Sequence, residues 1–498
     1  MSRKRCIIIG SGLGGLSCGT ILARNGYDVT VVEQGARAGG CLQCFVRHGV
    51  KFETGMHFIG SARPGEPLHR MLRFLELDNL PLNPLDPDGY NRVKIGGDEF
   101  AFPNGREPFI ERMASYFPAE KDGIARYMDY VERVAGASRI SSTEPLESVM
   151  PAEAWLHNRS IDDVLAEIIS DDMLRRVLVG DLPLYAAEQG HTPFSLHAFV
   201  MDFYNRSAFR IAGGSDIIAD RLTDLIRERG GRVLLNSRAT RIVCDNSRAT
   251  GVEINGSELL EADLVLATIH PARLMELLDT PLLRPAFRRR MSSMRNTPSN
   301  FSVYMKFRPG TVPYMNNNCF SYPGGTPWNC ERYTPAEWPK GYLYMHFCPA
   351  EPTPYATNGI ALSYMSIDEV ARWSGTHVGH RGDDYLAFKH AKAERLIDTL
   401  CHDFPELRGN IECYYTSTPL TYLDYTGTEG GSMYGVAKDI QAGIAGRVPH
   451  RTRIPNLLIA GQNINSHGIL GVLVGTIVAC SEILGEHTVI QQIGEYNQ

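Results

Sequence analysis

The chain has 498 residues, 43% of them hydrophobic and 21% charged, with 48 glycines, 11 cysteines and a formal net charge of −6. This composition excludes a wholly disordered or fibrous chain, and at about 100–200 residues per domain the length accommodates two to four domains or sub-domains. The acidic balance excludes a protein whose main task is gripping nucleic acid, which requires a basic one.

The cysteines are odd in number and follow no framework spacing, so a disulfide scaffold is not expected and a reducing cytoplasm fits better. The close pair in CLQC, Cys41 and Cys44, has no second pair to complete a zinc site, and no metal site is expected. Its plainest reading is two small apolar thiols on a loop, with a redox pair as the alternative. The apolar run Ile7–Ile9 ends too soon for a signal peptide. The most apolar stretch, Gly468–Cys480, is shorter than the ~20 residues that span a bilayer. The expected location is cytoplasmic, with peripheral attachment to a membrane surface left open.

In chain order, Arg5–Gly10 reads as a buried parallel strand, Gly10–Gly15 as a turn and Leu16–Asn25 as a helix that stops at Asn25-Gly26. Val29–Glu33 is a second strand, and the four pieces make a βαβ unit of about 30 residues. From about Ser61 to Phe203, Pro-rich loops mix with helical patches at Ile124–Val134 and Ile161–Ile169, the latter with Ser160 as N-cap. The stretch from Ile211 to Leu278 returns to βα patterning, with an amphipathic helix in SDIIADRLTDLIRERGG and a buried strand at Ala262–Thr268. Asn296–Tyr415 alternates aromatic and polar residues as an antiparallel sheet does. Leu457–Gly461 is a last buried strand, leading into a glycine-spaced helix at Gly471–Leu484. Residues 1–75, 205–290 and 425–498 are therefore expected to assemble one dinucleotide-binding domain, and 76–204 and 291–424 a second, substrate-binding domain.

Three motifs carry the chemistry. Gly10-Ser11-Gly12-Leu13-Gly14-Gly15 matches G-x-G-x-x-G after a strand and before a helix, with Glu33 at the end of the next strand. Gly10 permits the tight turn, Gly12 lets backbone approach a pyrophosphate, and Gly15 lets helix and strand pack closely. The helix N-terminus offers free N–H groups and partial positive charge. Glu33, followed by Gln34, is placed to accept hydrogen bonds from a ribose. Next come Arg37, Gly39 and Gly40, a second glycine turn with an arginine that suits a pyrophosphate held from both sides, as in a flavin protein. The third motif, Gly461-Gln462-Asn463 and then Ile469-Leu470-Gly471, is a strand end followed by a helix start, again rich in backbone donors.

These motifs resemble the FAD superfamily of amine oxidases and carotenoid desaturases. The amine oxidase form usually has a second arginine where this chain has Cys41, which disfavours an amine oxidase. The segments GSGLGGLSCGTILARNGYDVTVVEQ, AGGC, FETGMHFIG, AGGSDIIADRL, STPLT with GSMYG, and GQNINSHGILGVLVGTIVACSEIL resemble retinol saturase and the carotenoid isomerases over nearly the whole chain. Gln462 fits that family, whereas Asn463 stands where an Asp is common. The resemblance implies an α/β fold: a Rossmann-like FAD-binding domain of the amine oxidase/carotenoid desaturase type with a discontinuous α+β substrate domain. It also implies FAD, a hydrophobic polyene or isoprenoid substrate, peripheral membrane contact, and a place for Ala239 in the cofactor-binding set.

The expected reaction is saturation or desaturation of a C=C bond, with hydride moving at flavin N5 and the protein supplying position and dryness. The electron donor or acceptor is open. His57, in GMHFIG, is the candidate acid; His197 and His467 are weaker candidates, and Tyr425 and Tyr434 are candidates to line the ring. Phe194, Phe199, Phe203, Tyr204, Tyr342, Tyr344 and Phe347 are candidates to line an apolar tunnel, against a default of simple core. Three alternatives stand beside this reading: a reduced-flavin-dependent cis-trans polyene isomerase, a non-enzymatic prenyl-group carrier of the dissociation-inhibitor type, and an amine or small-molecule oxidase.

Overall fold

The computed structural model describes residues 3–136, 157–464 and 466–498. A five-stranded parallel sheet runs, in spatial order, Arg232–Leu234, Asp28–Val32, Arg5–Ile9, Leu264–Ala267 and Leu457–Ile459. Cys6 to Ile9 in the central strand are all buried, because helices cover one face and the antiparallel sheet of Ala239–Cys244, Ala249–Ile254 and Glu258–Glu261 packs on the other, which leaves no wet side to alternate toward. The glycine-rich helix Leu13–Arg24 packs between the Asp216–Glu228 and Gly468–Leu484 helices. Its strands thus come from three stretches far apart in sequence.

Two helix starts differ from the sequence reading. The first begins at Leu13 and the one that follows the last strand at Gly468, each three residues before the position that apolar periodicity suggested. Gly14 and Gly15 in the first of these turns, and Gly468 and Gly471 around the second, interrupt the apolar periodicity and obscure where each helix starts. Ser160 does cap the Ile161–Ile168 helix, its hydroxyl accepting from the Asp163 N–H at 3.2 Å.

The second layer is a seven-stranded sheet in the order Ile411–Ser417, Ser299–Phe307, Asn358–Met365, Tyr342–His346, Asn318–Tyr322, Asn91–Ile95 and Asp98–Phe102. It is antiparallel except where Asn318–Tyr322 runs parallel to Asn91–Ile95. One face packs against the helices Lys121–Gly136 and Phe194–Arg206 through a shared apolar core, and the other against the Asp383–Asp403 helix. A small sheet of Ile59–Gly60, Ala208–Ile211 and Leu82–Pro84 lies where the two layers join. That junction is where a cavity opens.

Candidate active site

The three glycine stretches converge at the C-terminal end of the parallel sheet. Gly12 forms a parallel bridge with Gly39, and the Gly39 N–H donates to the Ser11 carbonyl at 2.9 Å. A Cβ on Gly40 would lie 3.2 Å from the Gly12 Cα, and one on Gly14 would lie 3.0 Å from the Gly461 Cα. Any side chain at these contacts would push the stretches apart. Gly10 has φ +100°, open to glycine at little cost, and its carbonyl lies where a Cβ on Gly15 would be, so helix and strand touch backbone to backbone.

Above these contacts lies a cavity of 590 Å³. One half is bounded by Gly10–Gly14, Glu33, Gln34, Gly39, Gly40, Ala239, Gly461, Gln462 and Ile469. The other half is apolar, with Pro183, Leu184, Leu343, Met345, Leu362 and Met433. The segment 422–428 closes one side, and Gly55–Phe58 another. The helix Leu13–Arg24 enters the first half with Gly12 as an N-cap that has no side chain to satisfy its first N–H groups. A Cβ on Gly12 would meet nothing within 4 Å, so this backbone faces open space. An anionic, elongated group with phosphates at this N-terminus fits the residues present.

Four residues expected to bind the cofactor do not line the cavity. Gly15 is spent on helix–strand contact. Arg37 donates to the Cys44 carbonyl at 2.9 Å, tying down its own loop instead of facing a pyrophosphate. Leu470 is 5% exposed in the core, and Gly471 backs onto the Ser466 main chain, both on the side of the helix turned from the cavity. Glu33 does face the cavity. Its carboxylate also accepts from the Ser11 N–H at 3.0 Å, the Ser11 hydroxyl at 2.6 Å and the Gly35 N–H at 2.7 Å, so it pins the first glycine turn.

The candidate histidines separate clearly. His57 lines the cavity, with Nδ1 3.6 Å from a Glu53 carboxylate oxygen. His197 lies outside it, sandwiched between the Tyr127 hydroxyl at 2.8 Å and the Tyr185 hydroxyl at 2.6 Å; burial pushes its pKa down to about 3. His467 stacks on Tyr434 at 4.3 Å, and burial, with Lys438 nearby, pushes it down to about 3. Tyr425 and Tyr434 both line the cavity, and so does Cys41; Cys41 and Cys44 are free thiols.

Of the aromatic tunnel candidates only Tyr204 faces the cavity. Tyr342 and Tyr344 point through the other face of their strand, toward Asp403 and His346, while Leu343 and Met345 between them form the wall. Strand side chains alternate, so the aromatic letters and the cavity letters of YLYMH fall on opposite faces. The alternation was visible in the sequence; which face looked inward was not. Asn300 and Tyr422 also line the cavity and carried no motif signal.

The family profile described as flavin containing amine oxidoreductase matches residues 13–377. The chain belongs to that family. Within it, the chain is 28% identical to all-trans-retinol 13,14-reductase of Rattus norvegicus, with 96% of this chain and 85% of that protein covered. It is 24% identical to a phytoene desaturase (lycopene-forming) of a Paracoccus species, with 97% of each covered. It is 22% identical to the chloroplastic prolycopene isomerase 1 of an Oncidium hybrid, with 98% of this chain and 84% of that one covered. Among solved structures, an oxidoreductase from Methanosarcina mazei shares the fold at a TM-score of 0.65 and 14% identity, covering 96% of this chain and 100% of its own. The protein is thus a flavin oxidoreductase of the group that holds the retinol reductases, carotenoid desaturases and carotenoid isomerases. Among the described residues no helix is long and apolar enough to cross a membrane.

Proposed function

We propose that the flavin is FAD and that the protein transfers hydride between it and a C=C bond of a hydrophobic polyene or isoprenoid, saturating or desaturating that bond. The observation that carries this reading is the two-part cavity: backbone donors and Glu33 in one half, and the apolar wall of Leu343, Met345 and Leu362 in the other. FAD suits the first half because the three glycine stretches leave an elongated trough at a helix N-terminus. Gly10, Ser11, Gly12, Leu13 and Gly14 would hold the pyrophosphate, Glu33 and Gln34 the ribose, and Ala239 the adenine side. Gly461, Gln462 and Ile469 would hold the ring system's polar edge. When bound, FAD supplies the two-electron chemistry.

The chain's own contribution is positioning and exclusion of water. The apolar wall offers an isoprenoid burial of its surface at about 25 cal/mol per Å². A saturase must also deliver a proton to the carbon beside the one that takes hydride, and His57 is the residue the sequence offers for it.

Mass spectrometry of polyenes incubated anaerobically with the reduced holoenzyme tests the reading. A gain of two hydrogens, or a loss of two with the oxidised enzyme, supports it. A product of unchanged mass from a cis polyene selects the isomerase alternative, for which the resemblance to prolycopene isomerase speaks. A purified protein without flavin absorbance that binds prenylated ligands would select the carrier.

A further inference from the structure

The saturase reading leaves the proton donor open, and the cavity contains a second titratable group built for that task. Tyr422 lies on the Pro419–Thr426 helix, which packs both on the Gly40–Leu42 turn of the cofactor half and on the Ser299–Phe307 strand of the substrate sheet. Its ring packs against the large core cluster while part of its surface stays open to the cavity. It therefore stands at the seam between the two halves.

The hydrogen bonds around Tyr422 set its polarity. The Asn300 amide N–H donates to the Tyr422 hydroxyl oxygen at 3.1 Å. The amide is held in that orientation because its oxygen accepts from the Ser302 hydroxyl at 2.7 Å. Asn300 is 1% exposed, so this arrangement sits inside the protein. Tyr422 thus accepts from Asn300 and keeps its own proton uncommitted toward the cavity. Tyr434, which also lines the cavity, spends its proton on the Pro183 carbonyl at 3.0 Å. Burial keeps the Tyr422 hydroxyl protonated, while the Asn300 N–H acts in the opposite direction by favouring the phenolate. A group that stays protonated at rest and has a donor waiting for its anion has the makings of a general acid.

Resting on the saturase reading above, we propose that Tyr422 is the catalytic residue that protonates the substrate carbon, with Asn300 as its positioning residue. A two-electron reductant, dithionite in the assay, loads the flavin. When hydride reaches one carbon of the C=C bond, the π bond breaks, and its electron pair on the neighbouring carbon takes the Tyr422 proton. The O–H electrons remain on the phenolate, which Asn300 steadies until water returns a proton.

The test uses reduced holoenzyme mixed anaerobically with all-trans-retinol or phytoene, following flavin reoxidation and product mass in light and heavy water. Tyr422→Phe should retain flavin and slow reoxidation by about 10²–10⁴-fold, the usual contribution of a general acid. Asn300→Leu should slow it less and shrink the solvent isotope effect of the wild type, a change that mere loosening of the fold would not produce. His57→Ala, run in parallel, should slow reoxidation less than Tyr422→Phe and leave the solvent isotope effect of the wild type in place. Wild-type rates for Tyr422→Phe overturn this proposal, and a large loss for His57→Ala then returns the proton to His57. If neither polyene reoxidises the reduced wild type, the saturase reading fails, and Tyr422 as its acid fails with it.

Discussion

Gly12→Val separates the fold from the cofactor site. Gly12 has φ −67° and ψ 177°, extended backbone that valine adopts readily, and a Cβ there would meet no protein atom within 4 Å. The apoprotein should therefore fold, with a melting temperature near that of wild-type apoprotein. The cofactor cannot share that space. Phosphate oxygens must come within about 2.7–3.2 Å of the N–H groups at the helix start, and a branched side chain on Gly12 occupies the approach. Losing two hydrogen bonds to a charged group, each contributing about 1.5–3 kcal/mol, removes about 3–6 kcal/mol. That is roughly 10²–10⁴-fold in Kd, enough to leave the purified variant colourless. The assay compares flavin absorbance per protein with thermal unfolding of the same sample, followed by titration with FAD. Gly15→Ala is the control: its methyl would collide with the Gly10 carbonyl, so it should damage folding itself. A folded Gly12→Val protein with full flavin content would refute the placement of the cofactor.

Other outcomes follow from single contacts. Asp181 is 1% exposed, neither of its carboxyl oxygens has a partner among the described residues, and burial pushes its pKa from 3.8 up to about 7. The folded state keeps that proton where the unfolded chain has lost it, so stability falls as pH rises from about 4 to about 7. Asp181→Asn should therefore raise the melting temperature at pH 8 and hardly change it at pH 4, by no more than about 4 kcal/mol. Equal effects at both pH values would remove Asp181 as the cause. Glu33→Ala cuts the two Ser11 bonds that pin the first glycine turn and the one from Gly35, and flavin affinity should fall about 10–100-fold, measured by fluorescence titration. Gly431→Ala strains a position with φ +64° and runs into the Pro419 carbonyl, displacing the helix that carries Tyr422. It should cost about 1–3 kcal/mol in denaturant unfolding and reduce turnover more than flavin content.

Sequence and tertiary structure contributed different parts of this picture. The βαβ start, the parallel strands and the glycine turns were legible because each rests on local chemistry: a buried strand must be continuously apolar, and a backbone that approaches a phosphate must be glycine. That local chemistry also carried the resemblance that led to the family. Local pattern could not tell what each residue faces. Arg37 and Glu33 both read as cofactor ligands, but the arginine folds back on its own loop. Tyr342 and Leu343 are neighbours in sequence, and the pleat sends only the leucine to the cavity. Asn300 and Tyr422 lie far apart in the chain and acquire their joint chemistry only when the substrate sheet packs against the Pro419–Thr426 helix. Which side of an element meets the cavity depends on long-range packing, and packing leaves no mark in the spacing of residues along the chain.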